Sequence, residues 1–490
     1  MSVLTAPVER LRSRPMVVRS AVTVSVVLGS ALSAYLVSRG QWYLILVLLL
    51  AVPVALVFHR NPLLALGVWL AVDPFLQAVQ ANGTGRKFYW LFHRGLPVLI
   101  LGLIVVARLA GLTRRRLTMG WLEVVMAGYL VASILSIQFA SLDVLATSYH
   151  LYDRVAIPMA VYLLVRWYPP GRRSFEAAVP ILAFVLLFQV AAGALQWFAP
   201  DLIPRAWLGR VGSRTTGSLG HPSVYGTTVL AAGAFLFHMG QATRPRFPRW
   251  MYSTAFAVSL AAAFATLSRA AWLAAFVAGA TMAVLHPRAV RRLAVAMVGL
   301  SFVIVLATPV EPLIERAVSR FYSDQSQESA LSRLPVVLAS IRMFEARPVE
   351  GWGYGNFDLY DRQFQGRVGD LFVPDKDHAS HNLYLTILAE QGLIGILLYL
   401  GPALILLVKT PAALRALPRD GPTGRRLLVV LWLVPAMHFV VNNFSNMKVP
   451  FGLGLYWLSL GLIAGIVLPP RLPADEPPVI EMIGMGGAPR

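Results

Sequence analysis

The sequence predicts an all-α integral membrane protein, and its composition and hydropathy support this prediction. Of 490 residues, 57% are hydrophobic and only 13% are charged, and the mean hydropathy is +0.64. Soluble domains carry roughly 25% charged residues. Apolar runs of about 20 residues recur along the chain, each long enough to cross a hydrocarbon layer of roughly 30 Å. Because this layer holds no water to satisfy backbone groups, we expect the spans to be helices.

The apolar runs predict about 14 transmembrane helices. We place them near residues 21–38, 41–58, 62–79, 96–112, 120–141, 155–167, 174–198, 225–241, 250–268, 270–286, 291–309, 383–408, 427–446 and 450–468. Short cytoplasmic loops are rich in Lys and Arg, which sets the orientation. Basic loops such as Arg114-Arg115-Arg116 all fall inside if spans alternate from a cytoplasmic N-terminus. Both termini are therefore expected in the cytoplasm.

The sequence predicts that the chain divides into four segments. Residues 1–308 are an N-terminal transmembrane bundle with an outer loop near 199–224, and residues 309–382 are one large outer (periplasmic) loop containing amphipathic helices. Residues 383–468 are C-terminal transmembrane helices, and residues 469–490 are a proline-rich, disordered cytoplasmic tail. Because loops this long contain their own helices or are functional, the large loop is expected to carry the active site.

Charge and motifs exclude several classes. The net charge is +20, which the arginines of cytoplasmic loops explain better than nucleic-acid binding does. The absence of cysteine excludes disulfides, thiolate metal sites and a cysteine nucleophile. No P-loop or dinucleotide glycine motif opens a helix, so no cofactor is expected.

Arginines on the predicted outer side are the main chemical signal, because positive-inside sorting should deplete them there. Arg214 lies in the first outer loop, Arg269 in a short outer connection, and Arg333 and Arg342 in the large loop. The planar guanidinium binds phosphate oxygens in pairs, so the cluster favours a lipid-linked phosphate or diphosphate substrate. Salt bridges to loop acids such as Glu345 are the alternative interpretation.

His381 stands where the large loop ends and an apolar helix begins, in the segment Ser380-His381-Asn382-Leu383-Tyr384. An imidazole at a membrane surface is a candidate reacting group. His378 and His381, beside Asp375 and Asp377, could instead hold a metal ion. No third ligand has clear spacing, so no metal site is expected.

Four ordered motifs resemble one known family. They are Arg214-Thr215-Thr216-Gly217-Ser218-Leu219-Gly220-His221-Pro222-Ser223, the segment 267–273 (Leu-Ser-Arg-Ala-Ala-Trp-Leu), Arg333 followed by 342–353, and the segment 380–392. Together they resemble the O-antigen ligase/O-antigen polymerase superfamily of bacterial GT-C type membrane glycosyltransferases. His221 departs from the family pattern, in which asparagine is commoner.

The resemblance implies metal-independent, inverting transfer of a glycan from undecaprenyl diphosphate at the periplasmic face of the inner membrane. By position, Arg214 and Arg333 would bind the diphosphate, and His381 would activate the acceptor hydroxyl. The remaining positions implied to contact substrate are Arg269, Arg342, His221, Asn382, Tyr384 and Gly353.

A polysaccharide polymerase is the function we predict, with an O-antigen ligase that transfers glycan to lipid A-core or another acceptor as the alternative. The expected partners are the lipid-linked glycan, a glycan or lipid acceptor, membrane lipids and a chain-length regulator protein, with no nucleic acid. A lipid-linked sugar transporter is a third interpretation. It is disfavoured because the polar residues gather in outer loops rather than at the membrane midplane.

Overall fold

The computed structural model of the chain describes residues 38, 61–77, 83–109, 119–208, 214–243, 247–307, 333–365, 380–419, 421–445 and 449–469. Within these ranges the secondary structure is helical, as predicted, with no β-strand. The predicted spans near 21–38 and 41–58, residue 38 excepted, lie outside the described residues. So do most of the large loop (308–332 and 366–379) and the tail beyond residue 469.

Sixteen α-helices and two π-helical segments, numbered here along the described chain, make up the regular structure. They are α1 (Pro62–Leu76), α2 (Gly83–Tyr89), π1 (Trp90–Gly95), α3 (Leu96–Leu109), α4 (Trp121–Ala140), α5 (Val144–Leu151), π2 (Tyr152–Ala156), α6 (Ile157–Trp167), α7 (Arg172–Phe198), α8 (Pro222–Ala242), α9 (Arg249–Ala265), α10 (Arg269–Leu285), α11 (Pro287–Ala307), α12 (Arg333–Ala346), α13 (Phe357–Phe364), α14 (Leu383–Ala416), α15 (Arg425–Asn442) and α16 (Pro450–Val467). Short 3-10 turns lie at Pro200–Leu202, Arg205–Trp207 and Gly217–Leu219.

Six helical stretches in the described ranges are long and apolar enough to cross a membrane. They are Gly85–Leu109, Trp121–Ala140, Arg172–Phe198, Leu383–Ala416, Arg425–Asn442 and Pro450–Val467. Helices α1 and α10 are apolar but shorter. Every predicted span inside the described ranges coincides with a helix. The chain is therefore a helical membrane protein, while the total of about 14 spans and the outer-loop arrangement stay predictions.

The chain divides into two compact units. The first comprises Met1–Ala65 and Val98–Arg116, of which the structure describes residue 38, the start of α1 and most of α3. The second comprises Leu66–Pro97 and Leu117–Arg490. Every residue predicted to belong to the site lies in the second unit.

The second unit packs around aromatic residues of α4, α14 and α16. Tyr129, Tyr399 and Trp457 are almost fully buried there. Outward-facing positions are also apolar, since Phe139 and Phe198 are 84% and 86% exposed. Apolar side chains on the outside suit a protein that is surrounded by hydrocarbon.

Helix α14 is broken at Gly392, whose φ of 60° and ψ of −156° are not helical. Such a break frees backbone groups that have no water to bond inside a membrane. The N–H of Leu393 donates to the carbonyl of Pro348 at 2.8 Å, and that of Ile394 donates to Val349 at 3.3 Å. The first N–H groups after the break are thus satisfied by the segment 348–353.

The same segment also satisfies carbonyls on the other side of the break. The N–H of Trp352 donates to Ala389 O at 3.0 Å, and that of Gly353 donates to Glu390 O at 2.7 Å. Residues 348–353 therefore fill the break in α14 from both sides. This arrangement fixes the half-helix 383–391, which begins next to His381.

Contacts beyond the break tie α13 and α4 to the same point. The carboxylate of Glu390 accepts the N–H of Phe357, the first residue of α13, at 3.2 Å. Asn356, which precedes α13, donates its amide to Ala140 O at the end of α4, at 2.8 Å. A carboxylate at a helix N-terminus is favourable because it faces the positive end of the helix dipole. These bonds account for the burial of both polar side chains.

We expect Gly392→Ala to lower the thermal unfolding midpoint markedly. Its φ is positive, and an added Cβ would lie 2.3 Å from Val349 O. Strain of this kind alone costs about 1–3 kcal/mol. Gly279→Ala in α10 is the matched control, because a Cβ there meets nothing within 4 Å, and alanine should stabilise the helix by about 0.5–1 kcal/mol. Equal midpoints for the two variants, measured in the same detergent, would contradict the role given to the break.

Candidate functional site

Residues 214–221, named here the Arg214 turn, form a tight connection between α7 and α8. Gln196 of α7 accepts the N–H groups of Thr216 at 2.8 Å and of Gly217 at 3.0 Å on its side-chain oxygen. Its side-chain nitrogen donates to Gly217 O at 3.0 Å. One glutamine thus satisfies three groups of the turn.

A second glutamine of α7 holds the next residue of the turn. Gln189 accepts the N–H of Ser218 at 3.2 Å and donates to its hydroxyl at 2.7 Å. At Gly217, where φ is +54°, an added Cβ would lie 2.3 Å from the Gln189 oxygen. The turn needs a glycine here for both reasons. Gln189 and Gln196 lie seven residues apart, hence on one face of α7.

The Arg214 turn lies against the connection between α9 and α10. The Thr215 hydroxyl donates to Ala265 O at 3.0 Å, and the hydroxyls of Ser223 and Ser268 lie 3.2 Å apart. Two of the sequence motifs are thereby brought together. The second of them supplies Arg269, the first residue of α10, which is exposed. A cation at this position faces the positive end of the helix dipole, which is unfavourable for the stability of the helix.

His381 has a left-handed backbone, with φ of +51°. The next residue, Asn382, caps α14 by accepting the N–H groups of Tyr384 and Leu385, both at 3.0 Å. On the other side, the Ser380 hydroxyl donates to Asn382 O at 2.8 Å. A non-glycine residue at positive φ costs energy and persists only where its surroundings enforce it. His381 is therefore held in one place by its neighbours.

His221 and His381 lie within electrostatic range of each other. Burial and, to a smaller extent, the positive charge of a protonated His381 lower the pKa of His221 to about 4. The Nδ1 atom of His221 is buried with no hydrogen-bond partner among the described residues. The Arg214 turn thus brings a neutral imidazole towards His381.

Two residues predicted to contact substrate have structural contacts at the start of α14. Besides capping the helix, Asn382 lies with its amide nitrogen 3.4 Å from Asn443 Oδ1. The ring of Tyr384 packs on Phe439 at a centroid distance of 5.3 Å. Substrate contact by Asn382 and Tyr384 stays a prediction.

Gly353 and Arg342 are also placed by structural contacts. A Cβ on Gly353 would lie 2.5 Å from the Asn356 side chain and 2.7 Å from Ala140, so the glycine permits close packing. Arg342 donates to Phe364 O at 2.9 Å and so connects α12 to the end of α13. A substrate role for either residue stays a prediction.

Arg214 and Arg333 are described to different extents. Arg214 is partly buried at the start of its turn. Helix α12 is described from Arg333 onwards, but the side chain of that arginine lies outside the described part. His378 and its neighbouring aspartates, the alternative metal ligands, also lie outside it.

Sequence reasoning missed Gln189 and Gln196, which hold the Arg214 turn. The signal was present, because two glutamines seven residues apart interrupt an otherwise apolar span. Polar side chains in such spans face the bundle interior and have partners there.

The pKa of His221 predicts how stability depends on pH. The folded protein binds this proton only near pH 4, whereas the unfolded chain binds it near pH 6.5. Between these values the unfolded state holds more protons, so stability falls as pH drops from about 6.5 to about 4. His221→Asn should remove this contribution.

The measurement is the unfolding midpoint of both proteins from pH 7.5 to 4, in one detergent. The difference between them isolates His221, because every other titrating group is shared. A wild-type midpoint that falls no more steeply than that of the variant would refute this assignment.

Residues 254–400 match the family described as O-Antigen ligase. The match includes the Arg269 motif, α12 with the segment 348–353, and the His381 segment, while the Arg214 turn precedes it. No curated protein matches the chain. This segment is similar to the O-antigen ligase family, and the predicted resemblance to the O-antigen ligase and polymerase superfamily is confirmed over these residues.

Proposed function

We propose that the protein is a glycosyltransferase of the bacterial inner membrane that polymerises glycans carried on undecaprenyl diphosphate. The observation that carries this proposal is the placement of His381. Its imidazole lies within electrostatic range of His221 on the Arg214 turn, and this turn contacts the connection that precedes Arg269. Family members are glycosyltransferase-type enzymes, which supports a role for His381 as the base and for the arginines as contacts of the donor.

The reaction needs no further energy source, because a glycosyl diphosphate is already activated. The acceptor oxygen forms a bond to the anomeric carbon as the bond from that carbon to the diphosphate oxygen breaks. The proton of the acceptor hydroxyl passes to neutral His381 and then to solvent. Such general-base catalysis contributes roughly 10²–10⁴-fold. Direct attack inverts the anomeric carbon.

Arginines stabilise the leaving group. Negative charge grows on the diphosphate as it departs, and fixed cations that face this charge lower the barrier. In the proposal Arg214 and Arg333 bind the diphosphate both in the bound donor and in the leaving group, so most of their contribution is to donor affinity, with Arg269 as a further contact. The Arg214 turn is suited to this binding because Gln189 and Gln196 fix its backbone. Preorganised groups need no reorganisation during the reaction.

An O-antigen ligase is the second candidate, and the description of the matching family favours it. Both reactions use the same donor and the same base, and they differ only in the acceptor. A chain-length regulator is a proposed partner of the polymerase alone. In both cases we place the site at the periplasmic face and both termini in the cytoplasm, in a protein of about 14 spans.

The proposal is tested with purified protein and lipid-linked repeat units. We expect a ladder of longer glycans from the wild type. Transfer only to an added lipid A-core acceptor would identify a ligase. Activity confined to a vesicle transport assay would exclude both enzymes.

In the same assay, His381→Ala and His381→Asn should both abolish transfer. Asparagine is the informative replacement because it tolerates a left-handed backbone, so the turn before α14 is kept. Unfolding midpoints of both variants should stay close to that of the wild type. Product from the asparagine variant above about 1% of the wild-type rate would remove His381 from the base role.

Arg214→Ala and Arg214→Lys should both raise the donor KM by about tenfold to hundredfold, since hydrogen bonds to charged groups contribute about 1.5–3 kcal/mol. Lysine should fail to rescue because it lacks the planar fork that binds two oxygens. Arg347→Lys is the control, as Arg347 lies over the Trp352 ring at 4.2 Å, and lysine can keep that contact. Full rescue by lysine would refute bidentate binding.

A further inference from the structure

A buried ionisable pair lies at the end of α1, before the segment that matches the family. The side chains of Asp73 and His93 are both 0% exposed, with Oδ1 and Nδ1 3.0 Å apart. Gln77 donates to the other carboxylate oxygen of Asp73 at 2.9 Å. Neither residue of the pair belongs to the proposed reaction.

The position of Asp73 is unfavourable in two ways. A carboxylate removed from water loses its hydration, which only good partners can offset. It also lies in the last turn of α1, where the negative end of the helix dipole repels it. Ionisable residues inside membrane bundles usually mark a function.

The partner of Asp73 lies on an uncommon element. His93 belongs to π1, and π-helical insertions occur frequently at functional sites. Its ring stacks on Tyr89 with 4.8 Å between centroids and 10° between planes. The stacking and the bond to Asp73 together fix the imidazole, so His93 in turn fixes the end of α1.

The end of α1 contacts the Arg214 turn directly. The Ser218 hydroxyl donates to Pro74 O at 2.8 Å. The last four carbonyls of a helix have no partner within it, and Pro74 O is one of these. Ser218 also receives the amide of Gln189 at 2.7 Å. Pro74, the residue next to Asp73, therefore supplies one of the two hydrogen bonds that hold the Ser218 side chain.

We propose that the Asp73–His93 pair positions the Arg214 turn, through the bond between Pro74 O and the Ser218 hydroxyl. This proposal rests on the proposed function, because it assigns Arg214 to the diphosphate of the donor. Asp73 and His93 touch no substrate; they set the place of the arginine that does. Their loss should weaken donor binding more than it slows the chemical step.

The test is a double-mutant cycle on the full-length protein in nanodiscs. Asp73→Asn keeps the shape of the side chain and removes its charge, and Ser218→Ala removes the transmitting hydroxyl. Each should raise the donor KM about tenfold with kcat changed less than about twofold. The donor KM of the double variant should equal that of the more impaired single variant, because both changes interrupt the same series of contacts. The proposal would be overturned if the increases in donor KM of the two single variants multiply in the double variant. An unchanged donor KM in either single variant would also overturn it.

Glu123→Gln is the matched control. Glu123 forms a buried ion pair with Arg166 at 3.0 Å, with side chains 2% and 7% exposed, and its carboxylate also accepts from Tyr162 and Gly120, which are not part of the Arg214 turn. It should lower the unfolding midpoint as Asp73→Asn does and leave the donor KM unchanged. An equal rise in KM for Glu123→Gln would show that general destabilisation explains the effect, and would refute positioning.

A readout independent of transfer separates this proposal from the proposed function. Undecaprenyl diphosphate should raise the unfolding midpoint of the wild type, and it should do so less for Asp73→Asn and Ser218→Ala. Wild-type protein that binds the lipid without transferring glycan would refute the proposed reaction. Weaker lipid binding by Asp73→Asn and Ser218→Ala would still support the positioning role of this pair. Equal shifts for all three proteins would refute the positioning role.

Discussion

The structure around the site depends on the break of α14 at Gly392 and on the segment that fills it. A membrane leaves no backbone group without a partner, so a broken helix requires a second piece of chain with matching donors and acceptors. Residues 348–353 supply both, and their place then determines α13 through Asn356 and Glu390. The half-helix that follows His381 is short and is held at its far end by these bonds. One local irregularity thus connects the large loop to the spans.

Arginines of the second unit differ in the groups that they bind. Arg166 pairs with Glu123, and Arg94 binds both oxygens of Asp153 at 2.5 and 2.6 Å. These arginines are neutralised by a carboxylate, which makes their burial tolerable. Arg342 instead donates to a backbone carbonyl, which leaves its charge without a carboxylate in that bond. Such a positive charge fits the proposal that this region binds an anionic lipid diphosphate.

Much of the helical architecture follows from the sequence, because span length and polar interruptions are local properties. The start of α14 is an example: the apolar run predicts a span from residue 383, and the helix begins at Leu383. The break at Gly392 could not be predicted this way, since glycine is common in membrane helices and its partner lies some 40 residues earlier in the chain. The bond from Arg342 to Phe364 O escaped prediction for the same reason. Every residue has a backbone carbonyl, so the sequence does not show which carbonyl accepts a given hydrogen bond.

Backbone strain identifies the site from a different direction. His381 and Leu267 are the non-glycine residues with positive φ in the part of the chain that the structure describes. Each directly precedes the residue before a helix, Asn382 for α14 and Ser268 for α10. Such conformations cost about 1–3 kcal/mol each. Both occur in motifs that resemble the family. The enforced backbone at these two positions fixes the starts of α14 and α10, and the proposed base His381 and the proposed diphosphate contact Arg269 lie at these starts, where a fixed backbone would serve their proposed roles.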